Sequence, residues 1–421
     1  MTLLDDGPQR RTAQAVATQL SDVLVVPPPP ELGDDRSPSS PRWRDQSLSQ
    51  GAAGVAVLHG VRAQDGQGSD DRVHAWLTRA THEDLSAGPG AGLWFGAPAV
   101  AFAIFTAAPQ QYPRAMTRLD TAVAELVTAR LDAAHARMAA AARPSLSEFD
   151  LVRGLTGLGA YLLRRNPGGD LVGRVLAYLV ALTEPVPADD DAGRSAPGWW
   201  TSDVPSGQPA HGFRGGHADF GVAHGISGPL ALLALAMRQG ITVDGHAAAI
   251  DRICHWLDAW RHEAPAGPWW PERVSLAELR TGRSDHDGPA RPSWCYGTPG
   301  LARAQQLAGH AVGNPARQQA AEYALARCLA DPVQLDRIID PALCHGWAGL
   351  IATAWCAASA AGSPDIGVHL PRLLDTLLEH AGDVPPGRLP GLIEGSAGVA
   401  LILHSIATGT NGGWRTCLLL N

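Results

Sequence analysis

Three side chains in this sequence are soft or borderline metal donors set at tight turns. They are Cys295 in Cys295-Tyr296-Gly297-Thr298-Pro299-Gly300, and Cys344 with His345 in Cys344-His345-Gly346-Trp347-Ala348-Gly349. Zinc takes thiolate sulfur and imidazole nitrogen in tetrahedral geometry, and three protein donors leave a fourth position for water or substrate, as in catalytic zinc sites. No second Cys-x-x-Cys or His-x-x-x-His pair closes a zinc-finger shell locally, so the fold must bring two distant turns together. Cysteine is also a common packing residue, and context separates the two uses. Adjacent residues on a helix point about 100° apart, whereas a turn leading into a helix can aim Cys344 and His345 at one ion. Cys254-His255 repeats the dipeptide within Ile253-Cys254-His255-Trp256-Leu257 without a glycine turn, and reads as helix packing. Cys328, Cys356 and Cys417 lie on apolar runs or near the end of the chain and read the same way.

The chemistry of such a centre follows from its donors. A free thiol has a pKa of about 8.5, and coordination to a metal removes its proton. Two cysteinates and a neutral histidine give a neutral zinc centre, and a third thiolate, from a substrate, makes it anionic and keeps the added sulfur electron-rich. Oxygen ligands would favour water activation and hydrolysis, so the two-sulfur shell leans toward thiol chemistry. A similar shell serves hydride transfer in alcohol dehydrogenase.

The elements that position these donors repeat along the chain. A Gly-x-x-Gly pattern followed by an apolar run appears at Gly51-Gly54, Gly154-Gly157, Gly225-Gly228, Gly297-Gly300, Gly346-Gly349 and Gly395-Gly398, with a degenerate copy at Gly96 where Ala99 replaces the last glycine. The seven copies are spaced by roughly 45 to 70 residues, which fits one helical hairpin per repeat with loops of variable length. Runs such as Leu230-Ala231-Leu232-Leu233-Ala234-Leu235 are apolar all round and predict buried inner helices. More amphipathic stretches, Asp120 to Ala142 and Ala316 to Ala330, suit an outer layer. Seven inner and seven outer helices can close into a ring with the glycine turns gathered at one end.

The remaining features set bounds. The chain has 421 residues, a formal charge of −8 and six cysteines without regular spacing. The negative charge argues against a nucleic-acid partner. The cysteine usage and the acidic start, Met1-Thr2-Leu3-Leu4-Asp5-Asp6, suit a reducing cytoplasm without a secretory signal. No apolar run reaches the length of a membrane span. Residues 1–46 read as an amphipathic segment near Ala13 to Val26, the Pro27 to Pro30 run and an irregular loop, followed by the ring over 47–421. The turn-rich segment from Pro185 through Gly221, with Trp199-Trp200 and the solvated triplet Asp189-Asp190-Asp191, reads as a lid or substrate-contacting loop. A second insertion, Ala264 to Pro292, carries Trp269-Trp270 into Cys295. Of the thirteen tryptophans, most read as packing.

The set Ala223-His224-Gly225, Ser293-Trp294-Cys295-Tyr296-Gly297 and Cys344-His345-Gly346 resembles the lanthionine synthetase C-like family, specifically its stand-alone (class I) lanthipeptide cyclases, from about Ser47 onward. The resemblance implies an all-α (α/α)7 double toroid and one Zn2+ per chain held by Cys295, Cys344 and His345. It also implies addition of a peptide cysteine thiol to dehydroalanine or dehydrobutyrine, closing a (methyl)lanthionine thioether ring. The substrate it implies is a dehydrated precursor peptide with a leader, and the partners are a lanthipeptide dehydratase and an exporter, which would place a cytoplasmic protein at the periphery of the membrane. Some cyclases carry a small SH2-like insertion early in the ring, and 101–143 is the stretch where it would fall.

Closing such a ring leaves an enolate that must be protonated at Cα, so a general acid is needed. His224 heads the fourth turn and matches the family's acid or base; as plain structure it would cap that turn. Asp150 matches a family aspartate and can orient His224, pair with Arg291 or cap a helix. Arg291 and Tyr296 match polar residues beside the first cysteine ligand; Tyr296 can donate to the enolate oxygen or pack behind the metal, and Arg291 can serve the same oxyanion. His217 reads as structural or surface, and Asp219, where relatives often carry asparagine, reads as remote from the chemistry. Two rivals stand beside this reading. A prenyltransferase β-subunit uses an Asp, Cys and His set on a similar toroid, but no Asp replaces Cys295. A zinc-binding peptide or glutathione-binding scaffold would keep the metal without cyclase activity.

Overall fold

The computed structural model describes residues 7–29, 41–187, 195–204, 213–383, 390–410 and 412–421. Met1–Asp6, the acidic triplet Asp189-Asp190-Asp191 and the whole 30–40 stretch lie outside the described residues.

Each glycine turn launches one inner helix: Ala52–Gln64, Ala97–Ala107, Leu155–Arg165, Ser227–Arg238, Thr298–Ala311, Trp347–Ala360 and Ser396–Thr408. Each packs on the next, and the last packs on the first, so the inner layer closes into a ring. The outer helices are Pro8–Val23, Asp70–Ala80, Pro113–Ala139, Asp170–Leu182, His246–Ala259, Pro315–Ala330 and Leu370–His380. Each of the last six follows its inner helix and packs against it as an antiparallel hairpin, while Pro8–Val23 packs on Ser396–Thr408 and on Leu370–His380. The helix of the 1–46 segment therefore completes the outer layer. The architecture is the (α/α)7 double toroid expected from the repeats.

Burial follows the two layers. Inner helices are enclosed along nearly their whole length, as in Val399–Leu403 with 0% exposure at every residue. Outer helices bury one stripe, for example Leu370, Leu373, Leu374 and Leu377, as an amphipathic helix must when its other face meets water. Residues 101–143 are the end of one inner helix, a turn and the long Pro113–Ala139 helix. The two insertions meet in a short antiparallel ribbon, His217–Asp219 against Arg273–Ser275. Trp199, Trp200, Trp269 and Trp270 are all buried beside it, so the described parts of both insertions pack down onto the ring.

The second glycine of each pair is required by contact. A Cβ at Gly54, Gly157, Gly228, Gly300, Gly349 or Gly398 would stand 1.9–2.6 Å from a backbone carbonyl oxygen of its own turn. Gly300→Ala is expected to lower unfolding free energy by about 3 kcal/mol, because the Trp294 carbonyl beneath it is backbone and cannot swing away. Gly173→Ala, inside an outer helix where a Cβ meets nothing, should stabilise by roughly 0.5–1 kcal/mol. Chemical denaturation of the two variants checks the pair.

Candidate metal centre

Backbone hydrogen bonds tie the glycine turns to one another around the rim. Leu48 N–H donates to Trp94 O (3.1 Å), Leu151 to Ala223 (3.1 Å), Val222 to Cys295 (2.9 Å), Cys295 to Cys344 (3.4 Å), Cys344 to Ile393 (3.0 Å) and Leu392 back to Leu48 (2.9 Å). Between the second and third turns no such bond appears among the described residues, and this is where the degenerate copy with Ala99 sits. There the half-buried Arg130 guanidinium bridges instead, donating to Pro89 O (2.9 Å), Ala91 O (2.6 Å) and the Arg153 carbonyl.

This hoop brings the donors together. The ligand atoms of Cys295, Cys344 and His345 all lie within 4.8 Å of one another. Such a set fits a tetrahedral metal in its chemistry, with two sulfurs and one nitrogen and a fourth side left to a substrate. The His345 ring has a further carboxylate partner, with Nε2 3.3 Å from Asp340 Oδ2. Asp340 is itself fixed by the Ala342 N–H at 2.8 Å. A carboxylate on one ring nitrogen orients the ring and leaves Nδ1 for an ion.

The three donors perturb one another strongly. Cys295 is held well below the usual thiol range, first by the hydrogen bond from Cys344 and then by His345 and Ser293, against the opposing effect of burial. Cys344 is pushed well above that range, because it keeps the proton its partner gives up and because it is buried. His345 is raised to about 9 by Asp340 and then by Cys295. A divalent ion held by these groups would displace protons from them.

His224 lies on the adjoining turn, and its Nδ1 is 2.7 Å from Asp150 Oδ2. Asp150 does two jobs at once. Its Oδ1 accepts the backbone N–H groups of Arg153 (2.6 Å) and Gly154 (2.8 Å), capping the third turn, while Oδ2 orients His224. Asp150 is 1% exposed, whereas the His224 side chain retains 19%, so the ring faces open space from a rigid base. Arg291 sits close enough to draw down the pKa of both Cys344 and His345, and its Nε is buried without a hydrogen-bond partner among the described residues.

Tyr296 is engaged elsewhere. Its hydroxyl donates to Asp219 Oδ2 at 2.9 Å, and burial with the Asp219 charge pushes the phenol far up, so it stays neutral. Asp219 also accepts from Arg273 Nε (3.0 Å) and the Gly221 N–H (2.9 Å). This buried aspartate, read from sequence as remote, ties the ribbon of the two insertions to the turns carrying His224 and Cys295. His217 is inside the protein, 0% exposed, with burial lowering it to about 4. Asp340 was missed entirely, although its place five residues before His345 in a turn was a usable signal. The cysteines read as packing are indeed buried, Cys254 and Cys328 at 1% and Cys417 at 0% exposure.

Residues 42–419 match the sequence model of the lanthionine synthetase C-like protein family. The chain belongs to the lanthionine synthetase C-like family. Among curated relatives of this family member, the nisin biosynthesis protein NisC of Lactococcus lactis subsp. lactis is 24% identical over 280 residues, which is 65% of this chain and 64% of that protein. A solved structure of nisin cyclase superposes with a TM-score of 0.75 at 20% identity, covering 97% of each chain. That likeness is one of fold, and it spans nearly the whole chain. Among the described residues no helix is long and apolar enough to cross a membrane.

Cys295→Ala and Cys344→Ala are each expected to lose stoichiometric zinc on dialysis against a weak chelator, while Cys254→Ala, on an outer helix, should keep it. Metal analysis of the three dialysed proteins decides.

Proposed function

We propose that this chain is a zinc-dependent lanthipeptide cyclase that adds peptide cysteine thiols to dehydroalanine or dehydrobutyrine in the same peptide, forming (methyl)lanthionine rings. The observation that carries the reading is the convergence on one rim of a Cys-Cys-His donor set with an Asp150-oriented histidine. Cys295, Cys344 and His345 would hold one Zn2+, which when bound would lower the pKa of a substrate thiol and so raise its nucleophilicity at neutral pH.

The chain's own groups account for the proton balance. The S–Cβ bond forms as the Cα=Cβ π bond opens, charge moves onto the neighbouring amide oxygen, and a proton must return to Cα. Asp150 accepts the Nδ1–H of His224, which fixes the tautomer and leaves Nε2 to carry and deliver that proton. Arg291, whose charge acts on both Cys344 and His345, would be the donor to the enolate oxygen. Tyr296, committed to Asp219, acts by holding the Cys295 turn. The alkene must exist before the ring can close, so the same reading places a dehydratase before this enzyme and, for a leader-bearing product, an exporter after it.

The decisive experiment takes a dehydrated precursor peptide and counts free thiols by alkylation and mass spectrometry, since cyclisation itself leaves the mass unchanged. Loss of alkylatable thiols is expected with the zinc-loaded protein and not with Cys344→Ala. Unchanged thiols with zinc bound and a verified cognate peptide would sink the cyclase and favour the peptide- or glutathione-binding scaffold.

His224→Gln should lower the cyclisation rate by about 10²-fold or more while retaining zinc. Asp150→Asn keeps the oxygen that caps the third turn but removes the charge facing Nδ1, and should likewise slow cyclisation without loss of metal. Rates and metal content measured on the same preparations separate proton transfer from assembly of the centre.

A further inference from the structure

Residues 412–421 fill the bore of the ring. Gly412 O accepts from Arg164 of the third inner helix (3.4 Å), and the Trp414 indole N–H donates to Ser405 Oγ of the seventh (3.0 Å). Arg415 reaches Cys356 Sγ of the sixth (3.0 Å), and Arg303 of the fifth donates to the carbonyls of Leu420 (3.1 Å) and Asn421 (3.2 Å). One short segment can touch four inner helices around the ring only from inside. It is packed as core, with Trp414, Cys417 and Leu418 each 0% exposed.

At the upper end of this plug the Leu418 carbonyl accepts the indole N–H of Trp294 at 2.9 Å. Trp294 is 1% exposed, directly precedes Cys295, and has the Trp94 ring on another side with centroids 6.4 Å apart. Its own carbonyl lies beneath Gly300. The residue before the first cysteine donor is thus held at its indole by the plug, at its ring by Trp94 of the second turn, and at its backbone by its own turn.

We propose that Trp294 is a positioning residue for the metal centre, and that residues 412–421 serve the centre through it. The Leu418 carbonyl fixes the indole, and the indole fixes the backbone from which Cys295 Sγ meets Cys344 and His345. This rests on the reading of those three residues as zinc ligands. A filled bore also means that a peptide reaches the donors only from the rim of glycine turns, and its product leaves by the same face.

The test compares two substitutions in the full chain. Trp294→Phe keeps an aromatic ring but removes the N–H donated to Leu418, and Trp414→Phe removes the equivalent N–H donated to Ser405 at the other end of the plug. Each deletes one buried hydrogen bond, so both should lower the thermal midpoint of the zinc-free protein by a similar amount. Zinc dissociation constants, measured by competition with a chromophoric chelator, should rise roughly tenfold for Trp294→Phe, as for other groups that support a ligand from behind, and stay within about twofold of the parent for Trp414→Phe. Unchanged affinity in Trp294→Phe overturns the proposal and leaves the plug a purely structural filler. An equal loss in both variants also overturns it, since general loosening would then be the cause. A parent protein that binds no zinc sinks the metal reading itself, and this proposal with it.

Discussion

The site depends on backbone meeting backbone at the rim of the ring. Inner helices can converge there only if each turn lets the following helix settle onto its own carbonyl, and the second glycine of each pair permits that approach. Once the turns are that close, their N–H and C=O groups pair from one repeat to the next. Donors on separate repeats are then brought near each other by peptide geometry instead of long side-chain reach. Where the second glycine is missing, at Ala99, the Arg130 guanidinium takes over the bridging. A guanidinium suits that role because it offers several donors in a fixed plane.

On this frame two carboxylates set the character of the two histidines. Asp340 engages His345 and makes its ring a strongly basic partner of the sulfurs. Asp150 engages His224 while its second oxygen caps a turn, so a single side chain orients the ring and anchors the backbone it projects from. Each pairing places a buried or half-buried acid against an imidazole, where the low dielectric strengthens the bond. Each histidine ring is thereby fixed in orientation by one carboxylate. Asp219 has a third role, tying Tyr296 and Arg273 together so that the two long insertions are fastened to the turns they flank.

The bore is as specified as the rim. Its filling by residues 412–421 replaces what would be a water-filled channel with packed aliphatic and aromatic side chains, and its polar backbone groups are met by arginines of the inner helices. Buried carbonyls are costly unless bonded, which explains why Arg303, itself almost wholly enclosed, donates to the buried Leu420.

Much of this was determined by local sequence. Repeated Gly-x-x-Gly pairs before runs apolar on every side dictate buried helices entered by tight turns, and their number sets the size of the ring. The types of Cys295, Cys344 and His345, each beside such a turn, suit metal binding because thiolate and imidazole are good donors for a borderline ion. Tertiary structure alone decided which partners these groups meet. Asp150 could have capped a helix, oriented His224 or paired with Arg291, and the fold makes it cap and orient together. Tyr296 could have faced the substrate, and the buried Asp219 charge holds it back. Asp219, Trp294 and the plug beneath them carry no local signature, since their partners lie 54 to 124 residues away in the chain. Side-chain hydrogen bonds over such separations follow from how the ring closes, and closure is a property of all the helices at once.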